Sequence, residues 1–344
     1  MNKDFQNILV VNVNWLGDVI FSLPIFKALK TAYPNARIAC LAPPRVKNIL
    51  ENVPEINEVI VYDERGRHSG FLAKLRLIDD IRRRRFDIAF LLHRSLTRAL
   101  FVFLAAIPER VGYDTKGRGF LLTHKVKPKA DVNRIHRSDY YLQVIESYGI
   151  KVVERSYRLG VDANSLIRVN QILNINHVGP DDFLIVVNAG GNWDLKRWPP
   201  ENFAKLIDGI YGQQLGKVVI PGASQDKMLA EQISNMTKHK PVVLAGQTTL
   251  NELAALFKRA NLMVAADTGP LHLANAVGAK VIGLFGPTRP EVTGPRVGAN
   301  AVVLQRDVVC NRAPCYYLDC PANVCMRAIT VEDVLDEIKR LRRN

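Results

Sequence analysis

The 344-residue chain has no apolar stretch long enough to cross a membrane. Its longest, Ala99 to Ile107, is nine residues, about half of the roughly 20 that a spanning helix needs. Met1 to Gln6 carries Lys3 and Asp4 and leads into a short apolar strand, without the basic region, long apolar core and small-residue cleavage site of a secretion signal. These absences predict a cytoplasmic protein. Aromatic residues make up 8% of the chain and are seldom interleaved with the basic ones. No helix-turn-helix, RNP-type strand or zinc-finger spacing is present, which argues against a nucleic-acid-binding module. There is no solenoid repeat and no low-complexity tract. Cysteine is scarce, five in all, yet four stand at every fifth residue: Cys310, Cys315, Cys320 and Cys325. Four intervening residues lie at the wide edge of zinc-ligand spacing, so the segment reads either as a metal or iron–sulfur site or as reduced thiols held in a loop.

What is present in quantity is apolar residues, 48% of the chain. That is enough for two cores, since a single core stops growing near roughly 250 to 300 residues. Basic charge is also plentiful and unevenly placed. Residues 1–170 hold 28 Lys+Arg against 17 Asp+Glu, and residues 171–344 hold 19 against 16. A one-sided basic field attracts polyanions, whether nucleic acid, an acidic membrane or a phosphorylated glycan. Short β-branched runs (Ile8 to Val13, Arg37 to Ala42, Val59 to Tyr62, Asp87 to Leu92) alternate with helical segments, pause between about Ile150 and Asp181, and restart with Phe183 to Asn188, Lys217 to Pro221, Pro241 to Leu244, Leu262 to Ala265 and Lys280 to Phe285. This pattern predicts an α/β chain of two doubly wound Rossmann-like domains, residues 1–165 and 166–330. A final helix, 331–344, is expected to pack back at the domain junction. Parallel sheets bind ligands beyond the carboxyl ends of their strands, so two such domains facing each other would share one cleft.

The loops at those strand ends carry the chemistry. The first strand runs into Asn12-Val13-Asn14-Trp15-Leu16-Gly17-Asp18, without the Gly-x-Gly-x-x-Gly of a dinucleotide site. Asp18 reads equally as an N-cap or as a carboxylate that takes the proton from an attacking hydroxyl. After the strand ending at Asn188 come Gly190 and Gly191, whose backbone N–H groups can approach an anion, and then Lys196 and Arg197, which can neutralise a diphosphate. Adjacent basic residues are also common as plain surface charge. Asp267-Thr268-Gly269-Pro270-Leu271-His272 follows another strand and opens a helix, so its free N–H groups form a phosphate seat. Asp267 can accept hydrogen bonds from sugar hydroxyls, whereas His272 fits a satisfied helix residue better than a catalyst. Turns at Gly222 and at Gly283 to Thr288 are expected to line a nucleoside.

Asn14-Trp15-Leu16-Gly17-Asp18, Lys196-Arg197-Trp198-Pro199 and Asp267-Thr268-Gly269-Pro270-Leu271-His272 together resemble the motifs of the glycosyltransferase family 9 heptosyltransferases of lipopolysaccharide core assembly, in order and spacing over nearly the whole chain. The resemblance implies a GT-B fold and an inverting displacement from ADP-L-glycero-D-manno-heptose, with no obligatory cofactor or metal. It makes Asp18 the general base, Lys196 the diphosphate contact, Asp267 a heptose contact and Thr268 to Leu271 the phosphate-binding helix start. Asn188, Gly190, Gly191, Arg197, Gly222 and His272 complete the donor side; Asn14, Trp15, Gly17 and Arg94 form the acceptor side. Asn-Trp before Gly-Asp is more similar to enzymes adding the second heptose than to those adding the first. Asn188-Ala189-Gly190-Gly191 departs from the Pro-Gly-Ala opening common in the family. The implied partners are a nucleotide sugar, an anionic lipid A–Kdo core acceptor and the inner leaflet of the inner membrane, without nucleic acid and with the chain monomeric. The basic run Arg82 to Arg85 fits a phosphorylated acceptor or a solvated helix end. Two other readings share the fold: transfer from a different nucleotide sugar, and noncatalytic binding of one.

Overall fold

The computed structural model describes residues 4–128, 131–191, 193–296, 300–310, 315, 320 and 322–343. It divides into two compact units, Met1–Tyr157 and Arg158–Asn344.

The first unit is built on β1 (Asn7–Val11), β2 (Arg37–Ala42), β3 (Glu58–Val61), β4 (Ile88–Leu91), β5 (Glu109–Tyr113) and β6 (His124–Val126), with helices α1 (Leu16–Ala32), α2 (Lys47–Glu51), α3 (Phe71–Arg83), α4 (Leu96–Leu104) and α5 (Arg137–Glu146) between and after them. All pairings are parallel, in the order β3-β2-β1-β4-β5-β6. A parallel strand covered on both faces reads as a continuous apolar run. Accordingly Ile8, Leu9, Val10 and Val11 are all buried. Leu9 and Val11 join Leu77, Ile81, Phe101 and Val102 in a core beneath α3 and α4, and α1 packs with α5.

The second unit has β7 (Leu184–Asn188), β8 (Lys217–Ile220), β9 (Val242–Val243), β10 (Leu262–Ala266), β11 (Lys280–Phe285) and β12 (Ala301–Gln305). Its helices are α6 (Ala163–Ile175), α7 (Pro200–Gly212), α8 (Lys227–Met236), α9 (Leu250–Arg259), α10 (Gly269–Ala276), α11 (Pro290–Thr293), α12 (Val324–Arg327) and α13 (Val331–Arg343). The order β12-β11-β10-β7-β8-β9 is again fully parallel and repeats the first topology. Helix starts follow local chemistry: Thr249 and Glu252 form a reciprocal capping box on α9, and Pro200 and Pro270 occupy first-turn positions of α7 and α10.

The division falls at Tyr157, ahead of the expected 165, because the chain from Arg158 already belongs to the second unit. Leu159 N–H donates to Ala276 O, and α6 packs on α9. The C-terminal helix, for which the sequence predicts a place at the domain junction, packs on α7, β11 and β12. Val334, Leu335, Ile338 and Leu341 are buried there, and the Trp198 indole N–H donates to Ile329 O at 2.9 Å just before the helix.

Candidate active site

In a sheet of this order the ligand crevice opens where the strand sequence reverses, between β1 and β4 in the first unit and between β7 and β10 in the second.

In the first unit, β1 ends at Val11, and the buried Asn12 holds the following turn. Its Oδ1 accepts from Val13 N–H at 2.7 Å and from the Ser22 hydroxyl at 3.0 Å. Arg98 of α4, buried, donates to Asn12 O at 2.7 Å and to Asn14 Oδ1 at 2.6 Å. Arg45 donates to Asn14 O at 2.9 Å and lies 4.5 Å over the ring of the exposed Trp15. Asp18 is not the N-cap, a position that Trp15 takes without a side-chain bond. It is the third helical residue, partly exposed, and its Oδ1 accepts from the Tyr141 hydroxyl at 2.7 Å. Burial and the Asp18 charge push the Tyr141 phenol well above its ordinary range, so it remains a donor. Gly17 lies in the same first turn.

Beyond β4, the His93 ring nitrogen Nδ1 accepts from Ser95 N–H at 3.1 Å, and the buried Arg118 donates to His93 O and, at 3.0 Å, to Tyr113 O. Burial and the nearby Arg98, Arg118, Lys116 and Arg94 depress His93 to about 3, so its ring is neutral at physiological pH. Arg94 is exposed on this loop, 6.0 Å over the Tyr140 ring. The rim thus combines the Asp18 carboxylate, held by a phenol, with the exposed cations Arg45, Arg94 and Lys116. Sequence reasoning missed Tyr141, Arg98 and Arg45. Tyr141 is 123 positions from Asp18 and carries no local motif.

In the second unit, the loop after β7 meets the loop after β10. The buried Asn188 side chain donates to Gly190 O at 3.3 Å. A Cβ on Gly190 would fall 2.6 Å from the Asp226 carboxyl carbon, and one on Gly222 2.8 Å from Asp226 Cβ. Only glycine lets both loops close on Asp226, whose carboxylate accepts from Ala223 N–H at 2.9 Å ahead of α8. Gly191 sits against Thr268, and Arg197 donates to Gly191 O and pairs with Asp194 at 2.8 Å. Arg197 therefore stitches its own loop together.

Lys196 and Asp267 converge. Lys196 Nζ donates to Asp267 Oδ2 at 2.8 Å and lies 5.3 Å over the Trp193 ring. The same carboxylate accepts from the Thr293 hydroxyl at 3.1 Å and meets His272 Nε2 at 3.3 Å. Burial works to raise the Asp267 pKa, but the His272 hydrogen bond and the Lys196 charge outweigh it and hold the carboxylate well below its usual range. The partners of Asp267 are thus protein groups, and its structural part is to fix Lys196 beside the start of α10. There Thr268 is the N-cap, Gly269, Pro270 and Leu271 form the first turn, and the buried Thr268 hydroxyl has no hydrogen-bond partner among the described residues. A helix N-terminus, an unsatisfied hydroxyl and a positioned ammonium together make an anion seat.

The Gly286-Pro287-Thr288 turn and Leu195 line a cavity of about 320 Å³ together with Cys310, Cys315, Cys320 and Cys325. Among the described residues no group of three or more His, Cys, Asp and Glu side chains is placed to hold a metal ion.

The fold and these two loop systems define a glycosyltransferase of GT-B type. The sequence pattern of glycosyltransferase family 9 (heptosyltransferase) matches residues 74–320, and the chain belongs to that family. It is 29% identical over 300 residues to lipooligosaccharide heptosyltransferase 2 of Haemophilus influenzae, covering 84% of this chain and 86% of that protein. A family 9 glycosyltransferase from Veillonella parvula superposes with a TM-score of 0.87 at 25% identity, covering 99% of this chain and 98% of the other. ADP-heptose LPS heptosyltransferase II of Escherichia coli superposes with a TM-score of 0.81 at 24% identity, covering 98% of each.

Proposed function

We propose that this chain transfers L-glycero-D-manno-heptose from ADP-heptose to the inner core of lipopolysaccharide, adding the second heptose, in the cytoplasm against the inner leaflet. The observation that supports this reading most is Asp18: a partly exposed carboxylate held by the Tyr141 phenol within a basic rim, at the carboxyl end of β1. A hydroxyl of the anionic lipid A–Kdo acceptor attacks the anomeric carbon and gives its proton to Asp18. The bond from that carbon to the diphosphate oxygen breaks, and ADP leaves with the electron pair. Its growing charge is met by the Lys196 ammonium and the N–H groups at the start of α10. Asp267 acts by positioning Lys196, and Arg45 and Arg94 receive acceptor phosphates. The motif Asn14-Trp15 before Gly17-Asp18 and the similarity to proteins named heptosyltransferase 2 support the choice of the second heptose.

The test is ADP release from ADP-heptose with Kdo-lipid A acceptors that do or do not already carry one heptose, beside D18N. Turnover confined to the heptosylated acceptor and absent in D18N is the expected result. Turnover on the unheptosylated acceptor would overturn the second-heptose reading, and no ADP release with either acceptor would overturn the donor and acceptor together.

A further inference from the structure

Eight of the 17 large apolar side chains exposed among the described residues fall on three packed elements of the first unit. On α4, Leu96, Leu100, Phe103 and Leu104 are spaced to form one stripe, opposite the buried Ala99, Phe101 and Val102. Beside it, α3 presents Phe71 at 74% exposure, Leu72 at 66% and Leu75. The helices are tied at their far ends, where Arg82 donates to Leu104 O at 2.5 Å. The Gly119–Leu121 turn packs on α4 and leaves Phe120 75% exposed. Apolar side chains scattered singly over a surface need no explanation, but a contiguous group marks a contact face.

The charge around this face selects its partner. Residues 71–110 hold nine Lys+Arg against four Asp+Glu. Arg76, Arg83 and Arg85 are exposed on α3 and just after it, and Arg110 lies 5.4 Å over the Phe103 ring, a cation at the edge of the apolar stripe. This is the layout of amphipathic helices that lie in a bilayer interface, with apolar side chains among the acyl chains and cations at the headgroups. A second copy of the chain meeting the same face would set like charges against each other, as an isologous contact requires.

Position adds a second argument. The stripe begins at Leu96, two residues before Arg98, which from the buried side of α4 holds Asn12 and Asn14 beside Asp18. We propose that the α3–α4 face docks the protein on an anionic phospholipid bilayer, so that a lipid-anchored acceptor in the same leaflet reaches the rim at the end of β1. This rests on the acceptor class proposed above, and it names the surface and the lipid charge that serve it.

Flotation with vesicles of phosphatidylethanolamine and phosphatidylglycerol (3:1), against pure phosphatidylcholine, tests the proposal. Wild type is expected to float with the anionic vesicles only. L100E/F103E loses binding at least about tenfold, and R76Q and R85Q each lose about fivefold, the effect of one cation near an acidic surface. With the acceptor dispersed in detergent, L100E/F103E turns over as wild type, which separates docking from transfer. Should L100E/F103E fail to keep the wild-type circular dichroism, the two arginine variants decide. Wild type that fails to float, or variants that float as wild type does, would overturn the docking face. So would a wild-type dimer in light scattering that L100E/F103E dissociates.

Discussion

The two units share a strand order but assemble their seats differently. The first is held by side chains sent in from remote helices: Tyr141 of α5 donates to Asp18, and Arg98 of α4 fixes Asn12 and Asn14 in the preceding turn. The second builds an anion seat from backbone: glycines that let loops close, a helix N-terminus, and one ion pair between the loops. Charge divides the same way, with 26 Lys+Arg against 16 Asp+Glu in residues 1–157 and 21 against 17 in residues 158–344. A backbone seat suits a small, invariant group such as a diphosphate, because N–H groups are fixed by the fold. A side-chain seat with surplus cations suits a larger polyanion, whose charges are spread out.

The comparison breaks most visibly at Asp18 and Lys196. D18N is expected to lower kcat by roughly 10² to 10⁴, the range of a lost general base, and to leave donor affinity unchanged in calorimetry with ADP. A loss of ADP affinity in D18N would move that residue to the donor side. K196M is expected to show the reverse pattern, a raised KM for the donor, and to destabilise the protein as well. It leaves the buried Asp267 charge without its ammonium, which costs about 2–4 kcal/mol after allowance for the partial exposure of Lys196. K196M/D267N should then be less destabilised than the two single variants added together, and additive losses in urea unfolding would deny the coupling.

A finer test is Tyr141. Y141F removes one donor to Asp18 and should lower kcat about tenfold without changing donor KM. An unchanged kcat would make the phenol a packing residue only. The smallest expected effect concerns His93. Its pKa is near 3 when folded and about 6.5 when unfolded, so as pH falls below about 6.5 the unfolded chain binds a proton that the native chain does not. The stabilising contribution of neutral His93 is therefore complete above pH 6.5 and declines towards pH 3. H93Q should flatten the dependence of Tm on pH in that window. An identical slope in wild type and H93Q would place His93 in an ordinary solvated setting.

The alternation of apolar runs and helical segments fixed two parallel α/β layers, because strands buried on both faces must be apolar throughout. It also placed Asp18, Lys196 and Asp267 just beyond strand ends, since an element boundary is a local property. The strands β5 and β6 were not legible, since β5 carries Glu109, Arg110 and Gly112 and β6 is three residues with two exposed; β12 was not read either, although Ala301 to Leu304 is an apolar run. The sequence by itself thus determined the class of fold and the loops that bear the chemistry. Only the tertiary structure decided which groups meet there. Tyr141 reaches Asp18 through the packing of α5 on α1, Asp267 is closed around Lys196, His272 and Thr293 by the meeting of separate loops, and the apolar stripe of α4 is left uncovered by its neighbours. Such contacts join residues far apart in the chain, and no periodicity or motif encodes a distance across the fold.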